Sequence, residues 1–241
     1  MCIRDRFKRA WLTDEIGWIG GKERMWLEPQ PWAIISKSTD AEQTKILTNS
    51  INELVRKPSK IGAFLHSTPF DQIKNPQGRG TNAGIWPSIN GTLIWALSLV
   101  DGNMAWDEWQ KNSLARHAEE YPEIWYGIWS GPDTFNSEFS KYPGQTLFDE
   151  YFLTKNPEDR SLSAELELGG LNWTDWPVLN LHPHAWPLFN TKHLVGIEFT
   201  KEGVEIYPVL PFEEFEYSTP LIGVKKSKTG YSGWYDPKRE G

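Results

Sequence analysis

Three short stretches set residues able to do chemistry beside aromatic rings and turn formers. In Trp125-Tyr126-Gly127-Ile128-Trp129-Ser130-Gly131-Pro132-Asp133-Thr134-Phe135-Asn136, the Gly131-Pro132 pair forces a turn and leaves one carboxylate, Asp133, among aromatic side chains. Burial in an apolar cleft raises a carboxylate pKa, which suits acid or base work on a glycosidic bond; the structural use of the same residue is to cap a helix or satisfy loop amides. The second stretch, Gly78-Arg79-Gly80-Thr81-Asn82-Ala83-Gly84-Ile85-Trp86-Pro87, stands just before a helical pattern. Open N–H groups at a helix N-terminus, with Arg79 nearby, can hold an anion or sugar hydroxyls, and Asn82 can equally act as a cap. The third, Leu181-His182-Pro183-His184-Ala185-Trp186, brings two histidines close together. No carboxylate–histidine set accompanies them at ligand spacing, so no metal is expected; hydrogen bonding to sugar hydroxyls or a structural role suits them better.

Other chemistries find no motif. There is no Gly-x-Ser-x-Gly elbow, no P-loop and no strand-linked Gly-x-Gly-x-x-Gly, so no cofactor is expected. The single cysteine, Cys2, excludes an intramolecular disulfide and fits a reducing, cytoplasmic compartment. A net charge of -7 disfavours a nucleic-acid partner, and no apolar run approaches a membrane span. The outlier is aromatic: 14 tryptophans in 241 residues. Indoles stack on the apolar faces of pyranose rings and offer an N–H donor, which suits a saccharide cleft as well as a bulky core.

The elements that must hold these stretches read as helices followed by strands. A helix starts at Glu28-Pro29-Gln30-Pro31, where proline is tolerated in a first turn, and runs through Ile35. Thr39 and Glu42 stand at capping-box spacing before a stripe of Leu47, Ile51, Leu54 and Val55 that ends near Lys57-Pro58. Ile85, Ile89, Leu93, Ala96, Leu97 and Val100 share one helical face; Asp101-Gly102-Asn103 breaks it, and Asn103 is placed to cap a helix reaching about Glu120. From His193 the period changes to alternation around Gly203, with further strands at Leu221–Val224 and Tyr231–Tyr235. Two helical hairpins with long aromatic loops favour a helical toroid or bundle, the loops being functional walls.

In their order these motifs resemble the C-terminal half of glycoside hydrolase family 94, the cellobiose and chitobiose phosphorylases. Leu27-Glu28-Pro29-Gln30-Pro31-Trp32-Ala33-Ile34-Ile35-Ser36 resembles that family's Gln-Ser-Trp-Ala-Val-Ile-Ser-Gly, Asn82-Ala83-Gly84 its Glu-Asn-Gly-Gly loop, and Pro132-Asp133-Thr134-Phe135 its Ala-Asp-Val-Tyr. Leu194-Val195-Gly196-Ile197 and Val204-Glu205-Ile206-Tyr207-Pro208-Val209-Leu210-Pro211 resemble its final strands. The resemblance implies a mainly α chain, part of an (α/α)6 toroid (7–190) with a small C-terminal β region (191–241). Residues 1–6 are set apart as a non-native or disordered start. It further implies cleavage or transfer of a glycosidic bond of an oligosaccharide, with inversion. Phosphorolysis and a non-catalytic saccharide-binding module stand as alternatives.

On this reading Asp133 activates a water, and Gln30, Arg79, Asn82, Trp86, Trp129, Asn136, His182 and His184 form the far wall of the cleft. Trp86, Trp129, Asp133 and His184 are expected to converge on one concavity. The general acid is expected upstream, so that the chain is a piece lacking an N-terminal part of its own polypeptide; a homodimer is compatible. The position of the family's phosphate-binding histidine falls on Ser88 or Asn82, and its Thr-Gly-Ser phosphate loop on Leu181-His182-Pro183, which removes an imidazole and hydroxyl donors from an anion site. Sugar release by the complete natural polypeptide is therefore expected to proceed without phosphate, and strict phosphate dependence in a reducing-sugar assay would refute this.

Overall fold

The structure, a computed structural model, describes residues 2–3, 5–20, 23–71, 76–124, 132–146 and 182–236. The N-terminal residues pair as two short antiparallel ladders, β1 (Cys2–Ile3) with β2 (Arg6–Phe7) and β3 (Ala10–Trp11) with β4 (Trp18–Ile19). No turn signal marks this hairpin in the sequence, yet Cys2, Ile3, Arg6 and Phe7 form the ladder, with Asp5 in the turn and its carboxylate bonded to Arg6. Helix α1 (Pro29–Ile35) starts with prolines in its first turn, as read. Helix α2 (Ala41–Ile51) is capped one residue later than expected. Asp40 accepts from the Gln43 N–H at 2.8 Å and Gln43 Oε1 accepts from the Asp40 N–H at 3.2 Å, while Thr39 bonds Thr44.

Beyond Ile51 the helix widens to a π turn over Asn52–Arg56, closed by Lys57 N–H donating to Asn52 O at 2.9 Å. The widening lets Val55 and Arg56 both turn inward. Arg56 is only 2% exposed, and its Nε meets Glu108 Oε2 at 2.8 Å; Glu108 is fully buried. The remaining donors of Arg56 reach Asn52 Oδ1, Met104 O and Asp107 Oδ2, and Glu108 Oε1 accepts the Ala63 N–H at 2.8 Å. A buried pair is tolerable only when its remaining donors and acceptors are satisfied in this way.

Helix α3 (Pro87–Ser98) turns back through Asp101 into α4 (Gly102–Lys111). Asp101, and not Asn103, is the cap: it keeps an extended backbone and accepts from the N–H groups of Asn103 and Met104. The helix expected to reach Glu120 breaks at Asn112, and Ser113 caps a separate α5 (Leu114–Glu120) through the Arg116 N–H. Asn112 Nδ2 donates to Pro87 O, so the C-terminus of α4 lies at the start of α3.

Helix α6 (His182–Val195) packs on α3: Trp186 lies against Gly91, Asn190 Nδ2 donates to Gly91 O, and Trp95 meets Phe189 and His193. These pairings step the same way along both helices, so α3 and α6 run parallel and begin at one end. The helix crosses the 190/191 boundary and buries Leu194 and Val195, which alternation assigns to a strand, before ending at Gly196 (φ 69).

The β region begins at β5 (Ile197–Phe199), which pairs with β6 (Val204–Ile206). A three-stranded sheet follows in the order β7 (Phe215–Ser218), β8 (Ile222–Ser227), β9 (Gly230–Tyr235). Ile222, Val224, Val195 and Ile197 centre a small second core, joined to the main one through Leu210. The expected mainly α, partial (α/α)6 toroid is corrected by these elements: among the described residues six α-helices stand with four small antiparallel sheets, a mixed α/β fold. The helices do not repeat as hairpins. Helix α1 has 7 residues and packs chiefly on α3, and the chain after α2 pairs residues 64–67 with Met25, Leu27, Val55 and Gly84.

Glu108→Gln leaves the buried Arg56 charge short of its main partner. It is expected to lower unfolding stability by about 3 kcal/mol in urea denaturation, with Arg56→Met/Glu108→Leu costing less than the single change.

Candidate functional site

Residues 61–67 form the backbone on which the candidate site rests. Phe64 N–H donates to Val55 O, Leu65 N–H to Gly84 O and Leu27 N–H to Leu65 O, so this segment lies between residues 25–27 and the loop before α3. Ile85 then pairs with Phe135 in both directions at 2.9 Å, and Ser137 N–H donates to Gly78 O at 2.8 Å. The loop at 76–86 and the segment at 132–137 are thus one paired unit at the N-terminus of α3. Helix α6 starts at the same end.

The loop itself is tightly wound. Gly78 N–H reaches Asn82 O, Asn82 N–H reaches Arg79 O and Gly84 N–H reaches Gly80 O, and Ala83 is held at φ 66. The Trp86 indole donates to Gly80 O at 2.8 Å and folds the half-buried ring back over the loop. His66, packed between Trp26 and Phe70, braces the loop from below. With Nδ1–H donating to Thr68 O at 3.0 Å, its Nε2 accepts the Ala83 N–H at 3.1 Å. A proton on Nε2 would face Thr81 O, also 3.0 Å away, and would lose the Ala83 N–H. The guanidinium groups of Arg9 and Arg24 stack on Trp26 and Phe70 to either side. Burial pushes the His66 pKa below its ordinary value, and both arginines add to this.

Several residues expected in a sugar-binding wall are committed to the scaffold. Gln30 is fully buried; its Nε2 donates to Phe7 O and Trp26 O, and its Oε1 accepts the Phe7 N–H. Asn82 matches the Phe70 backbone at both ends of its amide, at 2.7 and 2.9 Å. It acts as a staple to residue 70, and the N-cap position of α3 falls on Trp86 with no side-chain cap. Asn136 Nδ2 donates to Tyr142 O, and its backbone bonds Gln145 and Gly144. Arg79 is buried within the loop.

Asp133 stands two residues before the Ile85–Phe135 pair and is half-buried. Trp86 and Asp133 are therefore carried by the same paired unit. His182 and His184 lie in the first turn of α6. Their side chains, and Trp129 altogether, fall outside the described residues. Among the described residues no group of three His, Cys, Asp or Glu can hold a metal, and no helix is long and apolar enough to cross a membrane.

Two groups near the site, one buried and one half-buried, are not singled out by the sequence. His117 packs on Phe135, with Nε2 meeting Gly144 O at 2.6 Å, and burial lowers its pKa. Glu138 Oε1 accepts the Lys60 N–H at 2.9 Å and the Tyr121 hydroxyl at 3.4 Å, and burial beside this carboxylate raises the Tyr121 pKa. A lone histidine in the apolar run Phe64-Leu65-His66 is the one signal that points to a packed imidazole. No protein-family model and no curated protein matches the chain.

The histidines give the fold an acid limit. His66 and His117 are lowered from 6.5, and His193, half-buried against Trp95, falls to about 4. Each takes up a proton first in the unfolded chain, so its contribution is present above the unfolded value of 6.5 and is lost as pH falls below it; for His193 that loss runs down to about pH 4. The urea midpoint is expected to drop between pH 7 and pH 4.5, and His193→Gln to flatten that drop; a midpoint independent of pH over this range would contradict it.

Proposed function

We propose that this chain forms part of a carbohydrate-active enzyme that cleaves or transfers a glycosidic bond of an oligosaccharide, in a reducing, cytoplasmic setting. The observation that carries the reading is the Ile85–Phe135 pairing, which ties a half-buried carboxylate, Asp133, to the aromatic loop at the start of α3. A rigid lip of this kind can hold a pyranose ring against Trp86 while Asp133 stands at its edge. In an inverting reaction Asp133 takes the proton of a water that attacks the anomeric carbon. A second carboxylic acid gives its proton to the leaving oxygen.

A second reading has its own support. The amides of Gln30 and Asn82 are spent on backbone partners, and the carboxylate of Glu138 is anchored on Lys60 and Tyr121. A carboxylate held in this way is not poised as the second acid, which suits saccharide binding without catalysis; the two amides take no part in that binding.

The two separate by one variant. In the complete natural polypeptide, Asp133→Asn is expected to slow oligosaccharide cleavage at least about 100-fold with saccharide affinity little changed. Cleavage at the wild-type rate removes Asp133 from the chemistry. Binding with no cleavage by either protein favours the binding reading.

A further inference from the structure

The β region holds a second candidate site, away from the start of α3. The Leu194 carbonyl accepts the N–H groups of Val209 and Leu210, and Val209 lies against Gly102 at the start of α4. The β region therefore sits at the far end of α6, a helix of 14 residues and about 21 Å.

Register decides which side chains face its core. Tyr235 is opposite Ile222, Gly233 opposite Val224 and Tyr231 opposite Lys226, and opposed residues share a face. Ile222 and Val224 are buried, so Tyr231, Gly233 and Tyr235 point the same way, toward β6. The core nevertheless stops short of them. Tyr231 is 58% and Tyr235 53% exposed, and between these strands and Val204 and Ile206 lies a cavity of about 310 Å³.

The gap between the two rings is built into the backbone. A Cβ on Gly233 would come within 2.5 Å of the Gly223 carbonyl oxygen, so no side chain can fill it. The tyrosines stand four residues apart on one strand, about 13 Å, with an apolar floor at Val224. On the other face Trp234 covers Gly223, which stiffens the strand that carries them.

We infer that this cleft binds a pyranose unit of a neutral oligosaccharide. Its volume is in the range of small-ligand sites, and two tyrosine rings open to water stand over an aliphatic floor of Val204, Ile206, Ile222 and Val224. A sugar ring presents C–H faces to such walls and hydroxyls to the two phenol groups; a purely apolar ligand would strand those polar tips. The choice of a saccharide rests on the proposed function. The site itself is independent of Asp133.

The test uses the Asp133→Asn protein, so that cleavage plays no part. Cellotetraose and maltotetraose are titrated by calorimetry, with laurate as the apolar probe. At least one tetrasaccharide is expected to bind, with affinity falling about tenfold in Tyr231→Ala and in Tyr235→Ala while the thermal midpoint stays within a degree or two. The inference is overturned if neither tetrasaccharide binds, if both tyrosine variants bind as the parent does, or if laurate alone binds. Loss of cleavage in Asp133→Asn with tyrosine-independent binding would sink this site and leave the proposed function standing.

Discussion

Most of the molecule hangs on the ion pair of Arg56 and Glu108. It joins the π turn after α2 to α4, and through Glu108 Oε1 it also fixes the Ala63 N–H. Ala63 opens the extended segment to which residues 25–27, Gly84 and Val55 all bond, so the position of the segment is inherited by the loop before α3. Neither charge touches the candidate site. Two desolvated charges whose guanidinium nitrogens and carboxylate oxygens all have partners tolerate one geometry, and that geometry is passed along backbone hydrogen bonds to Ile85 and Phe135.

The same economy explains the amides. Gln30 stands in the first turn of α1, and Asn82 and Asn136 in the loop segments paired before α3, where polar side chains beside aromatics suggest ligand contacts. Irregular backbone in a buried place must also find partners, and a carboxamide offers a donor and an acceptor at the spacing of a peptide group. Asn82 satisfies both ends of Phe70, and Gln30 both ends of Phe7. From the sequence, an amide that builds a lip and one that grips a ligand look alike, because the difference lies in the non-local backbone that each meets.

Legibility follows the range of the interactions. The bodies of α1, α2 and α3 and the strands β8 and β9 are readable because their patterns are local: prolines in a first turn, apolar residues at helical spacing, alternation around a turn. Caps fall a residue or two from where the sequence puts them, since Asp40 and Asp101 compete with polar neighbours for one role. The end of α6 escapes the sequence because Leu194 and Val195 are buried in either a helix or a strand, and only Gly196 marks the change. The overall architecture fails for a stronger reason. Helical pairing extrapolates from two stripes, whereas the run at 64–67 depends on partners far away in the chain, and the short local hairpins of β1–β4 fall where helical pairing is extrapolated. Of the candidate site, Trp86 and Asp133 are legible from residue type, but the pairing of Ile85 with Phe135 that unites them is not.

Aromatic content gains meaning from where the structure leaves it exposed. Trp26 and Trp86 are tied down by stacking or by an indole hydrogen bond, which makes them braces of the loop first and ligand surfaces second. Tyr231 and Tyr235 stay more than half exposed, although the Tyr235 ring meets Phe199, because the buried core is centred on Ile222 and Val224 and Gly233 holds the two rings apart. Keeping two large rings half in water on one strand forgoes the burial that normally recruits aromatics to a sheet. A ligand that covers them would recover it. The braced loop and the open tyrosines thus put the same residue class to opposite uses at the two ends of the helical body.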